Sequence, residues 1–109
     1  MLKVLLGGKT AEQTLLYLQN YDEGYARAIA ETFGISLSSV QKQLQKFEEG
    51  GVLVSRPVGK TRVYSWNPRY PFQEKLRSLL AESFHFMSEE EIQAYYRERR
   101  RPRRAGKPL

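Results

Sequence analysis

The sequence contains no cysteine and a single histidine, His85, among its 109 residues. Without cysteine, disulfide bonds and thiolate metal sites are excluded. The single histidine has no suitable nucleophile context, so no Ser-His-Asp or Cys-His catalytic set can be assembled. Because His85 stands between Phe84 and Phe86, we expect it to be a packed or partly exposed side chain rather than a ligand or a base. We therefore expect no enzyme, no metal site and no cofactor.

Long apolar runs are also lacking. No stretch approaches the roughly 18 apolar residues that a membrane span needs. The apolar stretch at residues 1–6 is too short for a signal-peptide core, and no small-residue cleavage site follows it. Apolar residues make up 40% of the chain, which is enough for the modest core of one domain. We expect a cytoplasmic protein with no membrane partner.

The positive charge is concentrated in two regions. Residues 97–109 hold seven bases and one acid, which accounts for the whole net charge of +6. Within the neutral remainder, residues 36–77 carry eight bases and three acids, whereas residues 78–96 carry four acids and no Lys or Arg. Clustered bases favour a polyanion such as nucleic acid, because neutralising its phosphates releases counterions. A basic tail is equally typical of a segment that only keeps a chain soluble.

The first third of the chain predicts one helix between two irregular segments. The short apolar run at residues 2–6 indicates a strand or an extended arm. Thr10 resembles a helix N-cap with Gln13 completing a capping box, and this helix is expected to end near Asn20. Residues 22–24 are expected to form a turn. Gly8-Lys9-Thr10 lacks the remaining glycine of a phosphate-binding loop and is interpreted as a turn and a helix cap.

A helix-turn-helix is predicted next, over residues 25–49. The first helix spans residues 25–33 and stops at Gly34, where glycine adopts a left-handed C-cap at least cost. Ser36 is a suitable N-cap for the second helix. That helix presents one narrow buried stripe, formed by Val40, Leu44 and Phe47.

The spacing of apolar residues then changes to that of strands. Strands are predicted at 52–56 and 62–67 around a tip at 57–61, followed by a connector at 67–71, a helix over 72–85 and a last helix capped by Ser88 with Glu91. The predicted fold is α+β and mostly helical: a three-helix core with a two-stranded wing, plus an extra N-terminal segment and C-terminal helices. We divide the chain into a winged helix-turn-helix domain at 1–70, C-terminal helices at 71–96 for dimerisation, and a basic tail at 97–109.

This order of elements suits duplex DNA, whose major groove admits one helix. The second helix has a polar, largely non-acidic face from which Gln can pair with adenine and Lys can reach guanine or phosphate. The candidate contacts fall into three groups. Those of the recognition helix are Ser38, Ser39, Gln41, Lys42, Gln45 and Lys46; those of the wing are Arg56, Lys60, Thr61 and Arg62; those of the tail are Arg99, Arg100, Arg101, Arg103 and Arg104.

The segment from Ile29 to Leu53 resembles bacterial winged helix-turn-helix transcription regulators of the ArsR-like kind. The resemblance is carried by Ile29-Ala30, Gly34-Ile35-Ser36, Ser38-Ser39-Val40 and the Gly50-Gly51 that precedes the first wing strand. It implies a homodimer that reads two half-sites of double-stranded DNA and regulates transcription, with repression as the expected outcome. ArsR-like metal sensors use Cys and His clusters that this chain does not have. The residues at 6–10 and 67–72 are similar to a subset of winged-helix proteins, some of which are found beside minimal nucleotidyltransferases.

Two other classes of function remain open from the sequence. The acidic, aromatic segment 78–96 fits a protein-interaction module, such as an antitoxin-like partner of an enzyme of the minimal nucleotidyltransferase kind. The arginine-rich tail fits RNA binding, since such segments often order on binding. The chain has more aromatic side chains than so small a core would bury alone, and several of them are expected at a dimer interface or around an effector pocket. These aromatic side chains are Tyr17, Tyr21, Tyr25, Phe72, Phe84, Phe86, Tyr95 and Tyr96.

Overall fold

The computed structural model of the chain describes residues 1–96, so the predictions for the tail at 97–109 lie outside the described residues. The described part forms six α-helices and three strands. In chain order these are α1 (Lys3–Leu6), α2 (Lys9–Tyr21), β1 (Glu23–Gly24), α3 (Ala26–Phe33), α4 (Leu37–Glu49), β2 (Leu53–Val58), β3 (Thr61–Trp66), α5 (Gln73–Ser83) and α6 (Glu89–Tyr95). A 3-10 turn at Phe84–Phe86 joins the last two helices.

Helices α3 and α4 form the predicted helix-turn-helix. Gly34 ends α3 with a left-handed backbone at φ 65°, and the Ser36 hydroxyl caps α4 by accepting a hydrogen bond from the Ser39 amide at 3.1 Å. Ile29, Val40 and Leu44 are fully buried where the helices pack against α2. The predicted C-cap of α3, N-cap of α4 and apolar stripe of α4 are therefore confirmed, although Phe47 is only partly buried.

Strands β2 and β3 form an antiparallel hairpin that follows α4. Its register runs from Leu53 opposite Trp66 to Val58 opposite Thr61, which leaves residues 59–60 as a two-residue turn. Gly59 has a positive φ of 63°, the conformation that such tight hairpin turns need. The chain is thus a winged helix-turn-helix of the α+β class. The tip expected at 57–61 is wrong, because pairing extends two residues further along β2 and one residue further along β3 and leaves only residues 59–60 in the turn.

The expected turn at 22–24 is wrong in part, because β1 adds a third strand to the wing. Glu23 pairs with Ser65 and Gly24 with Tyr64, so that the sheet order is β1-β3-β2. A Cβ at Gly24 would lie 2.6 Å from the Tyr17 ring. Glycine is needed here for close packing of the strand on α2, although it is unfavourable in strands elsewhere.

Two predictions for the N-terminal segment are also wrong. Residues 2–6 do not form a strand or an arm, because α1 occupies Lys3–Leu6 and packs on α2. The Leu2 side chain is buried in the hydrophobic core, and the Leu2 amide donates to the Glu12 carboxylate at 2.7 Å. Thr10 is not the N-cap of α2, since the helix already begins at Lys9 with Gly8 as its cap.

The C-terminal helices share one hydrophobic core with the rest of the described chain. Leu80 of α5 is fully buried and Tyr96 is nearly so. The Asn20 amide donates to the Tyr96 carbonyl at 3.1 Å, and the Tyr21 hydroxyl donates to the Tyr95 carbonyl at 3.0 Å. Tyr17, Tyr21 and Tyr96 therefore belong to the core of a single chain rather than to an interface.

The segment from α5 to α6 follows the prediction except for the end of α5. Ser88 caps α6 by accepting a hydrogen bond from the Glu91 amide at 3.1 Å, as predicted. The helix expected over 72–85 is shorter, because α5 ends at Ser83 and the 3-10 turn follows. His85 is exposed in that turn.

Candidate nucleic-acid interface

The solvent-facing side of α4 carries the side chains that the sequence assigned to base recognition. Its helical period turns the apolar stripe inward and leaves the polar residues on the opposite face. Ser38, Gln41, Lys42, Gln45 and Lys46 are exposed. Ser39 is half-buried, and its hydroxyl accepts a hydrogen bond from that of Ser36 at 2.7 Å, so Ser39 serves the helix cap as well as the surface.

The exposed face of α4 is bordered by a different element on each side. Gln41 lines a cleft shared with the wing. On the other side, Lys42 shares a shallow depression with Thr10 of α2, and a Cβ at Gly7 would lie 2.9 Å from the Lys46 ammonium. The helix is therefore framed by the wing and by the start of α2, with Gln45 between the two edges.

The wing brings three of its four predicted residues to one cleft, namely Lys60, Thr61 and Arg62, whereas Arg56 is not among the residues that line it. Two of the wing cations are already engaged. The Arg56 guanidinium forms an exposed ion pair with Glu23 of β1 at 3.1 Å. The Arg62 guanidinium donates to the Ser55 hydroxyl at 3.0 Å. That hydroxyl in turn donates to the Glu48 carboxylate of α4 at 2.6 Å.

Lys60 stands at the tip of the wing and is exposed, whereas Thr61 beside it is half-buried. Tyr64 lies below them on β3. Burial raises the pKa of the Tyr64 phenol, the Glu48 carboxylate raises it further, and Arg62 partly opposes this. The phenol is therefore neutral at physiological pH and can both donate and accept a hydrogen bond.

A cleft of about 490 Å³ separates the wing from α3 and from the first half of α4. Three cationic side chains line it, namely Arg27, Lys60 and Arg62. None of the nine residues that line the cleft, all within residues 1–96, is acidic. The cleft is therefore an electropositive groove that runs beside Gln41 of α4.

Sequence reasoning missed Arg27, although a signal for it was present. Arg27 lies in the first turn of α3, two residues before the buried Ile29 and on the exposed side of that helix. It is the one base between Lys9 and Lys42. Its position facing the wing depends on how α3 and β3 approach each other, which no local pattern reports.

Metal-binding and membrane-spanning features are not part of this surface. Within residues 1–96, no group of three or more His, Asp or Glu side chains is placed to hold a metal ion. No helix in the same range has both the length and the apolar character to cross a bilayer. The predicted tail contacts from Arg99 to Arg104 lie outside the described residues.

Comparisons with known proteins add little to this geometry. No protein-family model matches the sequence, and no curated protein matches it. Two solved structures of a mutant of ZitR from Lactococcus lactis are similar. The one in the apo form has 22% identity and a TM-score of 0.47, over 75% of this chain and 70% of the ZitR chain. The other has 23% identity and a TM-score of 0.48, over 79% of this chain and 67% of the ZitR chain. Similarity at this level transfers no function, and the fold rests on the order and pairing of elements described above.

Proposed function

We propose that this chain is a cytoplasmic, non-enzymatic regulator of transcription that binds double-stranded DNA sequence-specifically through α4. The observation that carries the proposal is the exposed polar face of α4, held away from the core by fully buried Val40 and Leu44. A helix held in this way can enter the major groove, while the wing lies along the neighbouring backbone. A protein that occupies a site overlapping a promoter lowers transcription, so we propose repression as the outcome.

We further propose that two copies act together as a homodimer. Large apolar side chains are strongly exposed outside the helix-turn-helix: Val4 is 87% exposed, Leu5 71% and Phe86 65%. Met1, which is 72% exposed, lines the same cavity as Phe86, which places the N-terminus and the 3-10 turn next to each other. Exposed apolar residues grouped in this way are typical of an interface. A second copy would bring two recognition helices to successive major grooves about 34 Å apart.

The first test compares variants on a duplex selected from a random pool by the wild-type protein. Lys42→Ala and Gln45→Ala remove exposed side chains, so the free energy of unfolding should change by less than about 0.5 kcal/mol. Each base contact that is lost should reduce the preference for the selected duplex over a scrambled one by about 1–3 kcal/mol. Gln93→Ala removes an exposed glutamine of α6 and is the matched control.

Two further measurements complete this test. Truncation after Tyr96 should weaken binding to selected and scrambled duplexes by the same factor, because the arginine-rich tail contacts phosphates rather than bases. Sedimentation should give a dimer for the wild type and a monomer for Val4→Glu. Wild-type preference in both recognition-helix variants would contradict the assignment of α4, and a wild-type monomer at micromolar concentration would contradict the dimer.

A further inference from the structure

We propose that Arg27 of α3 and Lys60 of the wing tip together bind a phosphate of the DNA backbone. Arg56 and Arg62 instead hold the wing in place. This inference rests on the proposed function, because it names the phosphodiester subsite of the same surface. Arg27 belongs to neither the recognition helix nor the wing.

The cations around the cleft and on the wing fall into two classes, those that already have an acidic partner among the described residues, directly or through a hydroxyl, and those that do not. Arg56 is neutralised by Glu23 at 3.1 Å. Arg62 is tied through Ser55 to the Glu48 carboxylate by two hydrogen bonds. A phosphate that recruited either arginine would first have to displace these partners, which reduces the net gain by the modest amount that exposed contacts contribute.

Arg27 and Lys60 have no acidic partner among residues 1–96, and both are exposed. They line the same cleft from different elements, one from the first turn of α3 and the other from the β2–β3 turn. The absence of any carboxylate from the lining leaves their charge uncompensated. A phosphodiester is the anion that a DNA strand would present there.

The position of the cleft also fits a backbone rather than a base. Gln41 of α4 forms one of its walls, so a helix seated in the major groove would leave the cleft facing the strand that borders that groove. Contacts from groups beside a recognition helix fix register and orientation but carry no sequence information. Tyr64, whose phenol stays neutral, can donate a hydrogen bond to the same phosphate.

The paired arginines have a structural role in this arrangement. The Arg56–Glu23 pair crosses β3 and connects the outer strands β2 and β1. The Glu48–Ser55–Arg62 chain connects the end of α4 to both long strands. Both contacts would hold the wing at the angle that keeps Lys60 over the cleft.

The test measures, by fluorescence anisotropy, how the affinity of five proteins for the selected and the scrambled duplex depends on salt concentration. These are the wild type, Arg27→Gln, Lys60→Gln, the charge-neutral double variant Glu23→Gln/Arg56→Gln, and Lys75→Gln as a charge-matched control on α5. Each lost phosphate contact should lower the slope of log K against log salt by about 0.9 per bound protomer. Circular dichroism spectra should show that all five proteins are folded.

Arg27→Gln and Lys60→Gln should each show this lower slope, and should weaken binding to selected and scrambled duplexes by the same factor. The double variant keeps the Glu48–Ser55–Arg62 chain, and its two glutamines can still hydrogen-bond to each other, so the wing should stay in place. The double variant and Lys75→Gln should therefore keep the wild-type slope. A slope for Arg27→Gln equal to that of Lys75→Gln would overturn the inference. So would a loss of slope in the double variant as large as that in Arg27→Gln. Absence of salt-dependent binding by the wild type would instead overturn the proposed function itself.

Discussion

Arg77 of α5 makes three contacts that connect the C-terminal helices to the base of the wing. Its guanidinium donates to the Gln19 amide oxygen at 2.8 Å and to the Asp22 carboxylate at 2.9 Å. It also lies over the Trp66 ring, 5.1 Å from the centroid. Asp22 directly precedes β1 and Trp66 ends β3, so one side chain holds α5 against α2 and the sheet. We predict that Arg77→Ala destabilises the protein measurably.

The magnitude follows from the partial exposure of these groups. The Arg77 and Asp22 side chains are 27% and 33% exposed, so the ion pair contributes about 0.5–1 kcal/mol. The hydrogen bond to Gln19 adds about 1 kcal/mol, and the contact with Trp66 adds about 0.5–1 kcal/mol. Because these terms share one side chain and are not additive, we expect Arg77→Ala to cost about 2 kcal/mol. That corresponds to a fall in Tm of roughly 8–16 °C.

Thermal and urea unfolding, followed by circular dichroism at about 0.15 M salt, would measure this change. Arg77→Lys keeps the charge but loses the planar fork, so it should recover no more than about half of the loss. Lys75→Ala on the same helix is exposed and should stay within about 0.5 kcal/mol of the wild type. A change below 0.5 kcal/mol for Arg77→Ala would refute the reasoning.

Three further changes test other parts of the structure. Gly24→Ala forces a Cβ into the Tyr17 ring and should lower the free energy of unfolding by about 1–3 kcal/mol in urea titrations; an unchanged midpoint would contradict the packing of β1. Ser36→Ala removes the side chain that accepts the Ser39 amide and should cost about 1 kcal/mol, whereas a loss below 0.3 kcal/mol would argue against the cap. Burial, chiefly, raises the pKa of Tyr96 well above its ordinary value of 10. Because the folded state favours the neutral phenol, its stability is fully present below pH 10 and is lost as the pH rises above 10. Tyr96→Phe, which has no phenol to ionise, should therefore lose less stability between pH 9 and pH 11 than the wild type.

Much of the central fold could be predicted from the sequence because local signals agree there. Gly34 and Ser36 mark the turn between α3 and α4, and their roles as C-cap and N-cap are confirmed. The wing could be predicted because two strand-like runs flank a tip that contains glycine. Each of these signals depends on residues within one turn or one strand of each other, which is the range over which sequence patterns are informative.

The segments that sequence reasoning missed are those that depend on contacts between distant parts of the chain. The helix at Lys3–Leu6 has only four residues, and such a short helix is not stable alone. It packs on α2 directly after the buried Leu2. Strand β1 contains Gly24, which discourages a strand prediction, and it forms because Tyr64 and Ser65 offer it an edge.

The candidate site was predicted unevenly for the same reason. The exposed face of α4 follows from helical period, so its polar residues could be named in advance. The sequence could not show which wing cations are free to bind phosphate. Arg56 is paired with Glu23, which lies 33 positions earlier in the chain, and no local pattern reports such a contact. The contribution of Arg27 likewise depends on the approach of α3 to the wing.

The central claim is that this chain distinguishes one DNA sequence from another. Fluorescence anisotropy of the wild-type protein should compare a duplex selected from a random pool with its scrambled counterpart at about 0.15 M salt, where nonspecific electrostatic binding is partly suppressed. We expect a preference of about a hundredfold or more, equivalent to about 2.8 kcal/mol. Equal affinity for both duplexes, or no affinity for either, would contradict it.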